Sequence, residues 1–293
     1  MQKEICIKAY RDEFAYELLD TGNKLKLERI EKLLIVRSEP RAWWRPCLPQ
    51  SEWSRAVAVF DREDTKKWVF KQQLPKDFFL EFLGLKIKLL FPRSSKHVGV
   101  FPEQYEQWRW IEECMGQKKT TKHRVLNLFG YTGVASLVAA RAGGDVVHVD
   151  GSKTTIAWAR ENQELSGLKH APIRWILDDA TEFLKREVKR GNRYDGIIMD
   201  PPSFGRGPKG QVWKIEEDFP ELLSLCGTLL SDAPLFLMLN MYSTELSSIS
   251  LANVLVDAIK ERKGNLEYGE LGIEEKGGGR ILPLSIFARW KAE

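Results

Sequence analysis

Asp200 stands at the join of two unlike stretches in "YDGIIMDPPSFGRGPKG" (residues 194–210): an apolar run before it and two prolines after it. Pro201 and Pro202 donate no backbone hydrogen bond, and Pro201 restricts Asp200 to extended geometry. The pattern predicts a buried strand that surfaces with a carboxylate and is then held stiff. Three more acids sit in comparable places: Asp150 ends "DVVHVD", and Asp178 and Asp179 end "IRWILDD". An acid at the tip of the second strand of an α/β sheet can accept hydrogen bonds from both ribose hydroxyls, and one at the third tip can accept from the exocyclic amine of adenine. Upstream, "NLFGYTG" (residues 127–133) offers a tight turn in which Gly130 and Gly133 let the backbone pass close to a ligand, with a helix N-terminus behind it. The G-x-G-x-x-G fingerprint is absent, which disfavours a pyrophosphate grip and hence a dehydrogenase. Together these features describe a site for an adenosine that carries a small charged tail. The competing structural reading is that each aspartate only caps the next helix.

These residues need a parallel sheet to hold them. From Val125 onward strands and helices alternate: "HRVLNLF" then "GVASLVAARAG", "DVVHVD" then "KTTIAWARENQELSG", "IRWILDD" then "ATEFLKREVKRG", "YDGIIMD" then "FPELLSLCGTLL", and "PLFLMLNM" then "SLANVLVDAIKERKG". Alternation of this kind predicts an α/β fold with a mostly parallel, Rossmann-like sheet covered on both faces. "NLEYGELGIEE" and "RILPLSIFARW", joined across "GGG", predict a C-terminal antiparallel hairpin. The first ninety or so residues differ. They hold short alternating segments such as "LGLKIKLLF", prolines at 40, 46, 49, 75 and 92, and many of the tryptophans. This predicts a smaller β-rich or α+β domain over residues 1–91, followed by the main domain over 92–293.

Composition narrows the class. The 293 residues carry a net charge of +4, mildly basic and compatible with an acidic or nucleic-acid partner. Cys6, Cys47, Cys114 and Cys226 show no metal-ligand spacing and read as free thiols of a reducing compartment, so no metal site is predicted. There is no leader-like apolar segment and no apolar run long enough to span a bilayer, which predicts a cytoplasmic protein that does not enter the membrane. Oligomeric state is not encoded in any pattern here.

"VLNLFGYTG", "VVHVDGSK", "WILDDATEFL" and "IIMDPPSFGRGP", in this order, resemble the class I S-adenosylmethionine-dependent methyltransferases. The likeness is closer to the branch that includes bacterial large-subunit ribosomal-RNA methyltransferases, with their D-P-P-x-F loop. It covers residues 92–243 clearly. The family's sheet has seven strands. The resemblance implies that Phe129, Gly130, Tyr131, Thr132 and Gly133 border the methionine part of S-adenosylmethionine. It implies that Asp150 takes the ribose hydroxyls with Ser152 nearby, and that Asp178 or Asp179 contacts adenine, the D-x-x-x-F-L context of Asp179 matching the family better. "VGVFPEQ" resembles the family's T-G-x-F-x-D-Q lead-in, which makes Gln104 a cofactor candidate, with Glu103 where the family has Asp. Asp200, Pro201, Pro202, Ser203 and Phe204 are the catalytic candidates, Asp200 also bordering the cofactor. In related Asp/Asn-Pro-Pro-Tyr enzymes the acid or amide accepts from an exocyclic amine while the aromatic stacks on a flipped base. Here Ser203 takes the Tyr place and Phe204 follows it.

Cytosine C5 methylation needs a cysteine nucleophile. The turn after the fifth strand, "LNMYSTE", with Ser243 in it, has none, and Cys226 falls inside a predicted helix as a packing residue. A base nitrogen is therefore the favoured acceptor. Arg93, Lys96, His97, Arg206, Lys209 and Lys214, interleaved with Phe204 and Trp213, could form a phosphate-contacting and base-stacking rim, and "WWRP" (residues 43–46) a further stacking surface. The resulting expectation is an RNA methyltransferase, ribosomal RNA first. The alternatives are a small-molecule or protein methyltransferase on the same fold and a non-catalytic RNA-binding protein.

Overall fold

The structure, a computed structural model, describes residues 5–11, 13–61, 67–75, 77–93, 95–116, 122–242, 245–260 and 262–293. Ser243, singled out above, lies outside the described residues. The elements in chain order begin with β1 (Cys6–Tyr10), β2 (Tyr16–Gly22), β3 (Leu25–Ile30), β4 (Leu33–Ser38), α1 (Gln50–Ser54), β5 (Ala58–Asp61), β6 (Lys67–Phe70), β7 (Phe79–Phe82) and β8 (Leu85–Lys88). A 3-10 turn (Pro102–Gln104) leads into α2 (Tyr105–Gly116), β9 (Arg124–Leu128), α3 (Val134–Arg141), β10 (Asp145–Asp150), α4 (Lys153–Leu165), β11 (Ile173–Leu177), α5 (Ala180–Lys189) and β12 (Gly196–Met199). Then come β13 (Phe204–Arg206), β14 (Val212–Lys214), α6 (Ile215–Leu229), β15 (Phe236–Met241), α7 (Ser248–Ile259), β16 (Gly264–Glu274) and β17 (Ile281–Ala292).

Two compact units share this chain: one comprises residues 1–7, 107–270 and 285–293, the other residues 8–106 and 271–284. The boundary expected at 91/92 falls inside the second of these.

The first unit is built on an eight-stranded sheet in the order β1-β16-β17-β15-β12-β9-β10-β11. β15, β12, β9, β10 and β11 run parallel, and β17 lies antiparallel to β15. The central strands are apolar along their whole length, since Leu126, Leu128, Val147, Val149, Ile197, Met199, Leu237 and Leu239 are all buried. Burial on both faces requires such runs, and helices on the crossovers supply the cover. The expected seven strands are present, with the C-terminal hairpin as predicted. An eighth, β1, extends the sheet beyond β16, so the hairpin is not the edge. Gly269 makes this possible: a Cβ there would fall 1.7 Å from the carbonyl oxygen of Cys6.

The second unit holds a five-stranded sheet, β2-β3-β4-β5-β6, and the β7–β8 hairpin. Leu27 and Val36 pack with Trp53 and Ala56 in its core. Beside them lies a fully buried charge cluster in which Arg37 grips Glu28 through Nε and Nη2, both at 2.6 Å, and the Tyr16 hydroxyl donates to Glu28 at 2.6 Å. Lys96 and His97 turn inward here instead of forming a basic rim. The Lys96 ammonium donates to the Ser38 carbonyl at 2.8 Å, and burial lowers its pKa to about 8. Burial, then the cations Arg37 and Lys96, lower His97 to about 3, so it is neutral at pH 7.

Candidate active site

The topological switch point of the large sheet falls between β9 and β12, where chain order reverses. Leu128 lies opposite Met199 on one side and Val149 on the other. The segments that begin at Phe129, Asp150 and Asp200 therefore leave three neighbouring strands at one level. In open α/β sheets this is where ligands bind.

The turn after β9 adopts an unusual backbone. Phe129 and Tyr131 have φ of 55° and 49°, and Gly133 has 86°. Left-handed geometry at two non-glycine residues costs on the order of 1–3 kcal/mol each and persists only where the surroundings enforce it. They do so here from several sides. The Asp150 carboxylate accepts from the Tyr131 amide at 2.9 Å, and the Asn162 amide donates to the Thr132 carbonyl at 2.9 Å. The His148 ring lies against the α-carbon of Gly130, where a Cβ would fall 2.3 Å from Cε1. Trp175 and Ala159 similarly face Gly133. Both glycines thus make room for protein groups beneath the turn, a reason the sequence does not disclose. His148 is held by Ser136 at 3.0 Å, Ser136 accepts from Asn127 at 2.9 Å, and burial lowers the imidazole pKa to about 3.

Asp150 ends β10 half-buried. Its Oδ1 accepts from the Ser152 amide and the Thr155 hydroxyl, both at 2.8 Å, while Oδ2 accepts from Tyr131. All three donors are neutral, and burial raises its pKa despite them. A carboxylate offers about four lone-pair positions, so Oδ2 retains room for one outside donor. Ser152 caps α4, its hydroxyl accepting from the Thr155 amide at 3.3 Å. Asp179 caps α5 through the Glu182 amide at 3.0 Å. Asp178 accepts from the Asp179 amide at 3.0 Å and is ion-paired with Arg186. Leu177 beside them is an exposed apolar side chain.

Asp200 follows β12 and is half-buried, and Pro201 is buried. Beyond the prolines, where the D-P-P-x-F motif implies a loop, the chain forms a small hairpin, β13 with β14, in which Gly205 faces Trp213. Three-residue strands among glycines show no readable periodicity. Trp213 is the anchor: its indole donates to the Pro202 carbonyl at 2.6 Å and its ring meets Phe129 at 5.1 Å. It is buried, 5% exposed, so it belongs under the site and not to a stacking rim. Phe204, 56% exposed, is the free aromatic of this loop. The hairpin also approaches the other tips. A Cβ on Gly207 would lie 3.1 Å from Asp179 Oδ2, and one on Gly151 would lie 3.4 Å from the Arg206 carbonyl. Arg206 and Lys209 are exposed, and Lys214 pairs with Glu217 at 2.8 Å.

Gln104 is buried in its 3-10 turn, as is Glu103, and belongs to the second unit. Cys226 is buried, its thiol 3.3 Å from Met199 Sδ, and burial pushes its pKa far up.

Residues 60–239 match the family of S-adenosylmethionine-dependent methyltransferases. The chain belongs to this family. A crystal structure of an S-adenosylmethionine-dependent methyltransferase from Agrobacterium tumefaciens has a TM-score of 0.93 at 41% identity, covering 100% of this chain and 98% of that one. Ribosomal RNA large subunit methyltransferase I of Aeromonas salmonicida is 29% identical over 78% of this chain and 54% of its own length. Ribosomal RNA large subunit methyltransferase K/L of Shewanella baltica is 37% identical over 42% of this chain and 17% of its own. This chain thus spans about half the length of the first of these two relatives and less of the second.

The residues present fit the family's cofactor. Asp150 keeps an acceptor position for a ribose hydroxyl, Leu177 and Asp179 offer an apolar and an acceptor group for a base, and the strained turn carries no phosphate-binding fingerprint.

Proposed function

We propose that this protein is a cytoplasmic methyltransferase that uses S-adenosylmethionine to methylate RNA, ribosomal RNA above all, at a base nitrogen. The observation that carries the reading is the arrival of the Phe129–Gly133 turn, Asp150 and the Asp200–Phe204 loop at one level of the sheet. The names of the two ribosomal-RNA methyltransferase relatives support RNA as the substrate.

In this reading Asp150 holds one ribose hydroxyl, Asp179 and Leu177 border the base, and Phe129 to Gly133 border the amino-acid portion. When bound, S-adenosylmethionine supplies a methyl carbon made electrophilic by a sulfonium sulfur. In-line displacement depends on alignment, and positioning alone can account for much of the barrier reduction. Asp200 accepts a hydrogen bond from the acceptor amine and orients its lone pair. As positive charge grows on that nitrogen the carboxylate stabilises it and takes the departing proton. Pro201, Pro202 and the Trp213 anchor keep this carboxylate from turning away. Ser203 sits between Asp200 and Phe204, and Phe204 supplies the exposed face on which the target base stacks. Cys226, buried and protonated, is no nucleophile, which supports a nitrogen acceptor over cytosine C5. Residues 1–91 serve substrate binding in this scheme.

The test is transfer of label from tritiated S-adenosylmethionine to total RNA from cells lacking the protein, followed by digestion to nucleosides. A single N-methylated nucleoside is expected. A labelled 5-methylcytidine overturns the choice of atom, and label appearing only in protein or small molecules overturns RNA.

A further inference from the structure

Trp43 is 83% exposed, while Trp53, Trp68, Trp108, Trp110, Trp158, Trp213 and Trp290 are each below 10%. An exposed indole on a loose loop would mean little, but this loop is fastened at every step. The Asn23 amide donates to the Trp44 carbonyl and the Lys24 amide to the Ala42 carbonyl, both at 2.7 Å. The Cys47 and Leu48 amides donate to Asp20 at 3.0 and 2.7 Å. Arg280 donates to the Arg45 carbonyl at 3.0 Å and lies 5.8 Å from the centre of the Trp44 ring. Gly22 lets Pro46 pack onto the strand, since a Cβ there would fall 2.4 Å from the Pro46 nitrogen. Trp43 is thereby presented on rigid backbone.

Charge around it is sorted by depth. Asp20, Glu39 and Glu275 are buried, at 0, 2 and 2% exposure. Asp20 is taken up by two amides and the Trp53 indole, Glu39 pairs with Arg41 at 3.5 Å and Lys96 at 3.7 Å, and Glu275 pairs with Arg280 at 3.4 Å. Glu52 on α1 is held by Arg55. Lys24 and Arg45 are exposed, and Arg41 is half-exposed. A rigid exposed indole among outward bases with inward acids is the pairing that single-stranded nucleic acid requires: a stacking face beside phosphate-neutralising charge.

We infer that Trp43, with Arg41 and Arg45, is a second RNA contact that stacks an unpaired nucleotide other than the one methylated. This rests on RNA being the substrate. The test measures binding of fluorescein-labelled oligouridine to the full chain, with S-adenosylmethionine titration and labelled transfer to cellular RNA run on the same samples. Trp43→Ala should weaken oligouridine binding about tenfold and Trp43→Phe should recover most of it, with cofactor affinity unchanged. Arg45→Gln should lower the slope of log K against log salt by about one. If the wild-type chain methylates RNA while Trp43→Ala binds oligouridine normally, this contact is refuted and the methyltransferase reading stands. If the wild-type neither binds nor methylates RNA, both fall. A loss of self-association in Trp43→Ala, with RNA binding intact, would make this face an interface between copies and refute the contact.

Discussion

Glu28 and Asp150 are both carboxylates on strands, and the two units treat them oppositely. Burial pushes Glu28 up, yet the Arg37 guanidinium and then Lys26 more than offset it and take its pKa down to about 2. Asp150 is half-buried, meets only amides and a hydroxyl, and ends with its pKa raised. A carboxylate neutralised by built-in cations has nothing left to offer a ligand. One held by neutral donors keeps its charge and a lone pair for an incoming hydroxyl. Neutral donors alone do not make an acid available, since Asp20 is also held by two amides and the Trp53 indole but is fully buried; Asp150 differs in being only half-buried at a strand tip.

Breaking the cationic arrangement should have the largest effect. Arg37→Ala leaves Glu28 buried with Lys26 as its remaining cation and should cost about 3–5 kcal/mol in denaturant unfolding. Glu28 also predicts acid sensitivity. Its folded pKa lies below the unfolded value of about 4.3, so its stabilisation is present above that value and declines as pH falls toward about 2. Asp150, raised instead, contributes with the opposite sign. An unfolding series over this range in which Arg37→Ala keeps the wild-type acid slope would break the comparison.

Next comes Asp200→Ala. An acceptor that engages mainly the reacting nitrogen should appear in rate, so single-turnover transfer should fall roughly 10²–10³-fold while cofactor affinity stays nearly constant. Near-normal transfer would reduce Asp-Pro-Pro to a turn. Asp150→Ala should do the reverse, weakening cofactor binding by about 1.5–3 kcal/mol in calorimetry. Part of that loss comes from releasing Tyr131, so Asp150→Asn, which keeps a carbonyl acceptor, should recover some of it. The smallest effect on turnover belongs to Cys226→Ser. Placing a hydroxyl against Met199 should cost about 1–2 kcal/mol of stability and leave transfer intact. Folded, cofactor-bound Cys226→Ser without turnover would restore a covalent route.

Much of the fold could be read because the strands are buried on both faces and the helices are not. "DVVHVD" and "KTTIAWAR" differ in pattern for that reason. The tips were readable as acids but not in their allotment. Ser152 and Asp179 each cap a helix, and only Asp150 shows, through three neutral donors, how its oxygens are divided. Trp213 and Trp43 were interchangeable on paper. The first is buried because its indole donates to the Pro202 carbonyl and its ring packs on Phe129, and the second is exposed because its loop is pinned by distant partners, Asp20, Asn23 and Arg280. β1 was invisible for a similar cause: its partner strand begins at Gly264, and no local pattern encodes a pairing over that distance.

That added strand has a bearing on solubility. An eleven-residue strand such as β16, left as the border of a sheet, would offer a long row of unpaired amides and carbonyls to a neighbouring molecule. With β1 in place the sheet ends on both sides in five-residue strands, β1 and β11, and Arg174 on β11 is exposed. Short borders are poor templates for strand addition. Gly269, by admitting the Cys6 carbonyl so closely, thus helps protect the protein against aggregation.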